Sequence, residues 1–267
     1  MGYFPQLLSG AIVQYPFAKR LRCRTAIVTH LDGTSTKFAD VGNDAVVWDF
    51  VLQGLNGLEC GELESFFETM AGRLGEFTFL DPGANLLSWS EDLTAACWVK
   101  GPAIALSVGL LDPTGGNSAA KITNQGAAIQ SVEQRIAAPS WFQYCFSTYL
   151  RSDQATRVTL TQSTSSTKES VTFTIGPNWK RYVHSKLMSS NEEQVTFGID
   201  ADAGVCFEVY GLQAEAQLYP SQYKRTTSRN GIYSRARFDM DVLSVSAEGP
   251  EAYSCRIRII APIGEQG

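Results

Sequence analysis

The chain has 267 residues, of which 44% are hydrophobic and 18% are charged, a balance typical of a globular protein with a buried core. Its net charge of -5 and its pI near 5.2 argue against sequence-independent nucleic-acid binding, because such binding needs a surplus of Lys and Arg to displace counterions from phosphates. The length predicts one or two domains.

The sequence shows no targeting signal and no metal or redox motif. No apolar run approaches the roughly 20 residues of a membrane-spanning helix, and no basic segment followed by a cleavage site opens the chain, so we expect neither a secreted nor a membrane-inserted protein. The cysteines are spread evenly without a CxxC pair, which predicts buried free thiols and synthesis in a reducing cytoplasm. They are Cys23, Cys60, Cys97, Cys145, Cys206 and Cys255.

The first fifty residues predict strands. The segment 3–17, with two prolines and several aromatic side chains, is either an extended arm or an N-terminal edge strand. The basic run 19–24 alternates, which favours a strand with a cationic face. Residues 22–29 and 45–52 are rich in β-branched and aromatic side chains, as strands are. Gly33 suits a turn between them, because glycine accepts a positive φ.

One helix is predicted at residues 58–70, where apolar side chains recur three and four positions apart on one helical face. Those side chains are Leu63, Phe66, Phe67 and Met70. Gly72 is well placed to end the helix, and residues 76–80 alternate as a strand before Asp81-Pro82 breaks it. One helix is too little to cover both faces of a sheet.

The middle of the chain is predicted to be an antiparallel sandwich or jelly roll. Its short alternating runs are separated by Gly, Asn, Ser and Thr turns, and no segment has the pattern of a long helix. The runs are 141–149, 157–161, 171–175 and 205–210.

After residue 229, two further alternating runs predict strands like those of the first 82 residues, at 233–240 and 252–260. The last strand places Cys255, Ile257 and Ile259 on one face and two arginines on the other, and this basic face is either paired with acidic groups of a neighbouring subunit or solvated. We therefore predict that the chain returns to a domain that it left near residue 82. The predicted division is 1–83 and 229–267 for the host domain and 84–228 for an inserted module.

The two outer pieces resemble phage distal tail and minor tail proteins, which have relatives in gene-transfer-agent particles. The residues that carry the resemblance are Phe4-Pro5, 14–16, Asp32-Gly33, Trp48, Phe66-Phe67, Gly72-Arg73, 77–82, 237–239 and 257–260. Each motif is short, so that the specificity comes from their order.

The resemblance implies a mainly β fold: a discontinuous tail-hub β-sandwich or barrel with one flanking helix. It further implies a ring, usually a homo-hexamer, that joins the tail tube to the tip. The implied partners are the tail tube protein and tail hub or baseplate proteins, with tail fibres as a further candidate. The implied location is the tail tip of the virion, after synthesis in the bacterial host cytoplasm.

The middle segment resembles the carbohydrate-binding-module-like jelly rolls of phage tail and fibre proteins. The matching pieces are Asn85-Leu86-Leu87, Ser90-Glu91, Trp98 with Lys100, 178–182, 211–215 and 220–226. This resemblance implies an inserted antiparallel jelly-roll β-sandwich and, as a candidate ligand, host-surface glycan.

A sugar site needs an aromatic ring face against the C–H face of a pyranose and polar side chains for its hydroxyls. The glycan-binding candidates from the sequence are Trp141, Gln143, Tyr144, Tyr149 and Arg151. Trp179 and Glu208 are further candidates. Because Trp98 and Trp179 stand in motifs of the resemblance, we assign both to the core.

No catalytic, metal or cofactor site is predicted. Glycan hydrolysis needs two facing carboxylates, which Glu208 and Glu215 would form only by chance, and the two histidines, His30 and His184, lie in different predicted domains. Residues 200–204 resemble part of a calcium loop but lack its later Glu, so we expect a turn. The leading hypothesis is a non-enzymatic tail-tip protein that displays a glycan-binding module. The alternatives are a purely structural adaptor for tail fibres and a tail-tip glycan hydrolase.

Overall fold

The computed structural model describes residues 2–263 and is mainly β, which confirms the predicted fold class. The first strands are β1 Gly2–Tyr3, β2 Phe17–Arg22, β3 Thr25–Thr29, β4 Ser35–Ala39, β5 Ala45–Leu55 and β6 Phe77–Leu80, with a 3-10 helix at Val41–Asn43 and α1 at Gly57–Thr69. The middle strands are β7 Val99–Lys100, β8 Ile104–Leu110, β9 Ala119–Asn124, β10 Gln130–Ile136, β11 Gln143–Arg151, β12 Thr156–Ser163, β13 Lys168–Ile175, β14 Lys180–Leu187, β15 Val195–Ala201 and β16 Cys206–Glu215. The last strands are β17 Ile232–Phe238, β18 Val245–Gly249 and β19 Ala252–Pro262.

The described chain divides into two compact units. The first unit is discontinuous: it contains the residues up to Leu8, then Ile12–Phe79, then the residues from Tyr233 onward. The second unit contains Leu80–Ile232 together with Ser9–Ala11. The domain limits predicted from the sequence, 1–83 with 229–267 for the host domain and 84–228 for the inserted module, stay a prediction.

The first unit is built on one sheet in the order β1-β6-β17-β19-β5-β2, with β18 added beside β19. The longest pairing joins β5 and β19 in antiparallel register, with Trp48 opposite Ile259. Period-2 alternation in β19 buries Ile257 and Ile259 and leaves two arginines outside, as predicted. Those arginines pair within the unit: Arg256 lies 2.9 Å from Asp49 and Arg258 lies 3.0 Å from Asp239.

Helix α1 covers the aromatic core of this sheet. Its predicted position is confirmed to within one residue at each end. The ring of Phe66 lies 5.2 Å from that of Phe77 and 6.0 Å from that of Phe238. The helix begins with a capping box, in which Asn56 accepts from the backbone of Glu59 while the Glu59 side chain accepts from the backbone of Asn56.

The N-terminal segment, apart from residues 9–11, packs into the first unit, which corrects the first of the two alternatives for residues 3–17, the extended arm. Phe4, Leu7, Ile12 and Val13 are buried. The backbone of Phe4 also donates to Thr78, next to the short parallel pairing of β1 with β6. Phe4 is a core residue because its ring finds partners that a sequence pattern does not show, whereas Tyr15 in the same stretch is 67% exposed.

Two further predictions need correction. The predicted single strand at 22–29 is instead the end of β2 and the separate strand β3, which forms a two-stranded hairpin with β4 through a turn at Gly33 (φ 84°). The cysteines are all free, but Cys23 is exposed and Cys97 and Cys206 are only half-buried. The buried Cys145 fits the prediction, since desolvation raises its pKa to about 12 and keeps its thiol protonated.

The second unit is a sandwich of two five-stranded antiparallel sheets, as the jelly-roll prediction requires. Their strand orders are β13-β12-β15-β10-β7 and β14-β11-β16-β9-β8. Tyr144 and Phe146 of β11 both pack on Phe197 of β15, with ring centroids 5.6 Å apart in each pair. Burial of each such side chain contributes about 2 kcal/mol, so that these contacts across the two layers are a major part of the core.

The two ends of the second unit are joined by hydrogen bonds from residues 85–91 to residues 212–214 of β16 and to residues 220–227, a contact that we name the clasp. The side chain of Asn85, which is completely buried, donates to the backbone of Leu212 at 2.8 Å. Its oxygen accepts from the backbone of Leu87 at 3.0 Å and of Ala214 at 3.1 Å. One amide therefore satisfies three buried backbone groups.

Further contacts of the clasp involve Ser90 and Glu91. The hydroxyls of Ser90 and Tyr223 lie 2.7 Å apart, and the backbone of Thr226 donates to Ser90 at 2.9 Å. Arg225 pairs with Glu91 at 3.1 Å. Burial raises the pKa of Tyr223, so this hydroxyl remains a neutral donor. The motifs at the two ends of the predicted module thus bond to each other.

We expect Asn85→Ala to lower the free energy of unfolding of the second unit by about 3 kcal/mol, because it leaves buried backbone groups without partners. Urea denaturation of the full chain, followed by circular dichroism, measures this loss. Asn178→Ala, at an exposed loop position, is the matched control and should change the midpoint little. Equal midpoints for the two variants would contradict the role of Asn85.

His184 makes the stability of the second unit depend on pH. Its ring is buried in β14, and desolvation lowers its pKa from 6.5. The unfolded state therefore takes up a proton before the folded state does, and the stabilising effect, complete above about pH 6.5, falls as the pH decreases, by at most about 1.4 kcal/mol per pH unit.

We expect unfolding midpoints at about pH 7.5 and about pH 5.5 to differ less in His184→Gln than in the wild type, because the variant lacks this titration. His30→Gln is the control, since His30 is the exposed second histidine. A pH dependence that His184→Gln leaves unchanged would refute the assignment.

Candidate functional site

One face of the second unit gathers aromatic and charged side chains from adjacent strands. The outward side chain of Arg151 on β11 is the direct cross-strand partner of Glu208 on β16, and Glu208 is in turn the partner of Lys121 on β9. The guanidinium of Arg151 lies 4.8 Å from the ring centre of Trp179, which stands immediately before β14. We name this row, together with Tyr149 and Arg181 beside it, the platform.

An ion pair between Arg151 and Glu208 lies at the centre of the platform. Both Nε and Nη2 of Arg151 lie 2.7 Å from the same carboxylate oxygen of Glu208. The two side chains are 30% and 19% exposed, so water screens the pair only in part. With Lys121 next to Glu208, the row presents two cations and one anion in a fixed order.

The second row of the platform is aromatic. The Arg181 guanidinium lies 5.7 Å from the ring centre of Tyr149, and its Nη2 donates to Ser147 at 2.9 Å. On the other side, the rings of Tyr149 and Tyr210 are 6.0 Å apart. Tyr210 is buried, and this burial raises its pKa to about 12. Tyr149 is therefore held between two neighbours, with its ring half-buried.

A bulge in β16 places Glu208 on the platform. Between Ser147 and Tyr149 on β11 the partner strand β16 uses one extra residue, and Gly211 lies there with φ 66°. The bulge reverses the alternation of β16. Phe207 and Val209 face the core before it, and Leu212 and Ala214 face the core after it, which leaves Glu208 outside.

A cleft lies beside this end of the sandwich. It has a volume of about 520 Å³, within the usual range of small-ligand sites, and is lined by the loops around Gln154 and Gly204. Ser152, which directly follows β11, and Cys206, the first residue of β16, both line it.

The sequence-predicted glycan residues do not form one group. Tyr149 and Arg151 lie on the platform. Gln143 lies at the opposite end of β11, about 25 Å away along the strand, where it donates to Ser185 at 2.9 Å. Trp141 is 39% exposed in the loop before β11.

Tyr144 needs a correction, because it lies in the core. Its side chain is completely buried, and its hydroxyl donates to the backbone of Pro139 at 2.8 Å. Alternation along β11 explains the difference, since a residue one position from Gln143 faces the opposite side of the sheet.

The sequence prediction also misplaced or missed parts of the platform. Trp179, assigned to the core, is half-buried on the platform, and its Nε1 has no hydrogen-bond partner among residues 2–263. Trp98 is buried, as predicted. Arg181 and Lys121 were not predicted at all. Their place on the platform follows only from the strand register, which sets Arg181 opposite Tyr149 and Lys121 opposite Glu208.

The carboxylates considered for catalysis, Glu208 and Glu215, and the one considered for calcium, Asp200, are each paired with a basic side chain. Glu215 is 2% exposed and is held by Lys224 at 3.1 Å and by the backbone of Ser221 at 3.0 Å. In the segment 200–204, which resembles part of a calcium loop, Asp200 and Ala201 end β15, and the expected turn follows at residues 202–205. Asp200 bonds to Lys168 at 2.7 Å. Within residues 2–263, no group of three or more His, Cys, Asp or Glu side chains is arranged to hold a metal ion. Helix α1, the one α-helix in that range, is neither long nor apolar enough to cross a bilayer.

No family model and no curated protein matches the chain. Solved structures similar to it include the enzymatically active domain of tailspike protein 4 of bacteriophage CBA120, with 9% identity and a TM-score of 0.40 over 51% of this chain and 22% of that chain. They also include the CBM22-1 xylan-binding domain of Xyn10C from Paenibacillus barcinonensis, with 12% identity and a TM-score of 0.42 over 53% of this chain and 99% of that chain. A third is TmCBM61 in complex with beta-1,4-galactotriose, with 12% identity and a TM-score of 0.38 over 49% and 97%. With such scores, the function of this chain must be argued from its own residues.

Proposed function

We propose that this chain is a structural protein of a phage tail tip, a distal tail protein, whose second unit binds host-surface glycan through the platform. The observation that carries the glycan proposal is the row in which Trp179, Arg151 and Glu208 meet on one outward face of the sandwich. Such a face combines an aromatic surface with fixed hydrogen-bonding groups, which is what recognition of a sugar requires.

The chemistry of the platform suits a polyhydroxylated ligand. Arg151 uses Nε and Nη2 in its contact with Glu208, which leaves Nη1 outside that contact. Lys121 adds three donors on the other side of the carboxylate. Because the ion pair already holds the side chains of Arg151 and Glu208 in place, these side chains lose little rotamer entropy when they bind a sugar hydroxyl.

The tail-tip role is supported by the order of the motifs in the two outer pieces of the chain and by the discontinuous first unit. A homo-hexameric ring of this protein between the tail tube and the hub or baseplate proteins would present many platforms. Multiple copies convert weak single-site affinity into strong attachment through effective concentration. In this proposal the protein is made in the bacterial cytoplasm, acts at the virion tail tip and has no enzymatic activity.

A second candidate function is a structural adaptor on which tail fibres dock. The observation that favours it is that a guanidinium already lies over each aromatic ring: Arg151 over Trp179 and Arg181 over Tyr149. Stacked Arg and aromatic side chains are also common at the centres of protein interfaces.

Binding of the full chain, coupled in many copies to beads, to an array of bacterial surface oligosaccharides tests the proposal. We expect binding that Trp179→Ala and Arg151→Ala each weaken at least about tenfold, because each removes one side of the platform. Trp141→Ala is the matched control, since this exposed tryptophan lies outside the platform.

Each other outcome has a definite meaning. Wild-type beads that bind no oligosaccharide would refute glycan recognition and favour the adaptor. Binding lost in Trp141→Ala but kept in Trp179→Ala would move the site to the other end of β11. New reducing ends among the oligosaccharides would contradict the absence of enzymatic activity.

A further inference from the structure

The hairpin of β3 and β4 in the first unit is exposed on both faces. Every residue of both strands is exposed, including Val28 at 47% and Phe38 at 56%. Ala26 lies opposite Phe38 in the register, so that Ala26, Val28 and Phe38 share one face, and Leu31 at the turn is fully exposed. A two-stranded hairpin with no cover is marginally stable in water, and clustered exposed apolar side chains indicate an interaction surface.

The base of the hairpin is strongly basic. Four of the six residues in 19–24 are Lys or Arg. Arg20 and Arg24 have ionic partners at 3.4 Å, but Arg22 has none in the part of the chain that the structure describes. Strand β2, which carries this run, lies at an edge of the sheet, and Lys37 of β4 adds a further exposed cation. The hairpin and β2 together, residues 17–39, form what we name the basic hairpin.

The outer surface of α1 has the opposite charge. The helix contains four glutamates and no basic residue. Glu62, Glu64 and Glu68 are exposed and form no ion pair within residues 2–263. Leu58 is 80% exposed on the same helix. Gly61 and Ser65 have small or no side chains, so that another chain can approach the helix backbone between Leu58 and the glutamates.

We propose that the basic hairpin of one copy docks on the outer surface of α1 of a second copy. Charge complementarity selects this partner: two basic hairpins face to face would repel each other, whereas the glutamates of α1 attract Arg22. Leu58 offers an apolar contact for the face that carries Phe38. This inference rests on the proposed ring and names the surfaces that form it.

The contact is heterologous, because two different patches meet. A pair of copies therefore keeps one free hairpin and one free helix, and association continues until a ring closes. Since opposite charges attract across the contact, association weakens as salt screens them.

Sedimentation velocity of the full chain, at rising concentration and at low and high salt, tests the proposal. We expect association with a dissociation constant of about 10 to 100 µM at low salt. Phe38→Ser and Glu62→Lys should each weaken it at least about tenfold, the first by removing the apolar contact and the second by reversing the charge. Both positions are exposed, so circular dichroism should show an unchanged fold. Leu187→Ser and Glu193→Lys, exposed positions of the second unit, are the matched controls.

A mixture of the two variants tests the head-to-tail geometry. Phe38→Ser retains an intact helix surface and Glu62→Lys retains an intact hairpin, so their mixture should form dimers and nothing larger. Larger assemblies, or no complex at all, would overturn the arrangement.

A wild type that stays monomeric up to about 100 µM at low salt would overturn the contact itself. Wild-type-like association of both variants would show that copies meet through other surfaces, which overturns this contact but leaves the proposed ring. Glycan binding of the same variants, measured in parallel, reports on the platform separately.

Discussion

The second unit depends on the clasp, in which Asn85 and Ser90 at the start of the unit bond to residues near its end. Chain ends are ordinarily the part of a domain that opens first, because they make few contacts. Here the ends make buried hydrogen bonds with β16, the strand at the centre of its sheet. Opening of the ends therefore disturbs the sheet itself, and the ends and the core should unfold together.

One residue, Gly211, links the clasp and the platform. Gly211 produces the bulge that turns Glu208 outward, and a Cβ at this position would lie 3.2 Å from the ring of Tyr223 in the clasp. A side chain at residue 211 would thus be strained twice, once by the positive φ and once by the contact with the ring. The geometry of the candidate site and the closure of the unit are consequently fixed by the same few atoms.

Much of the fold could be predicted from the sequence, because period and composition are local. The alternation of β19 and the spacing of Leu63 and Phe66 in α1 gave the correct elements. β4 was missed, since its sequence Ser-Thr-Lys-Phe-Ala has no apolar alternation that burial would require. The platform was found only in part, because which side chains lie next to Arg151 depends on strand register and on a bulge, and both arise from pairing between distant segments.

The bulge also separates β16 into two halves with different roles. Its residues after Gly211 hold the unit closed through Gln213 and Glu215, whereas its residues before Gly211 present Glu208 to solvent. Substitution of Glu208, whose neighbours Phe207 and Val209 are buried, can therefore change the platform while the second half of β16 keeps its contacts. The outward position 208 is therefore a place where the composition of the platform can change with little effect on the free energy of unfolding.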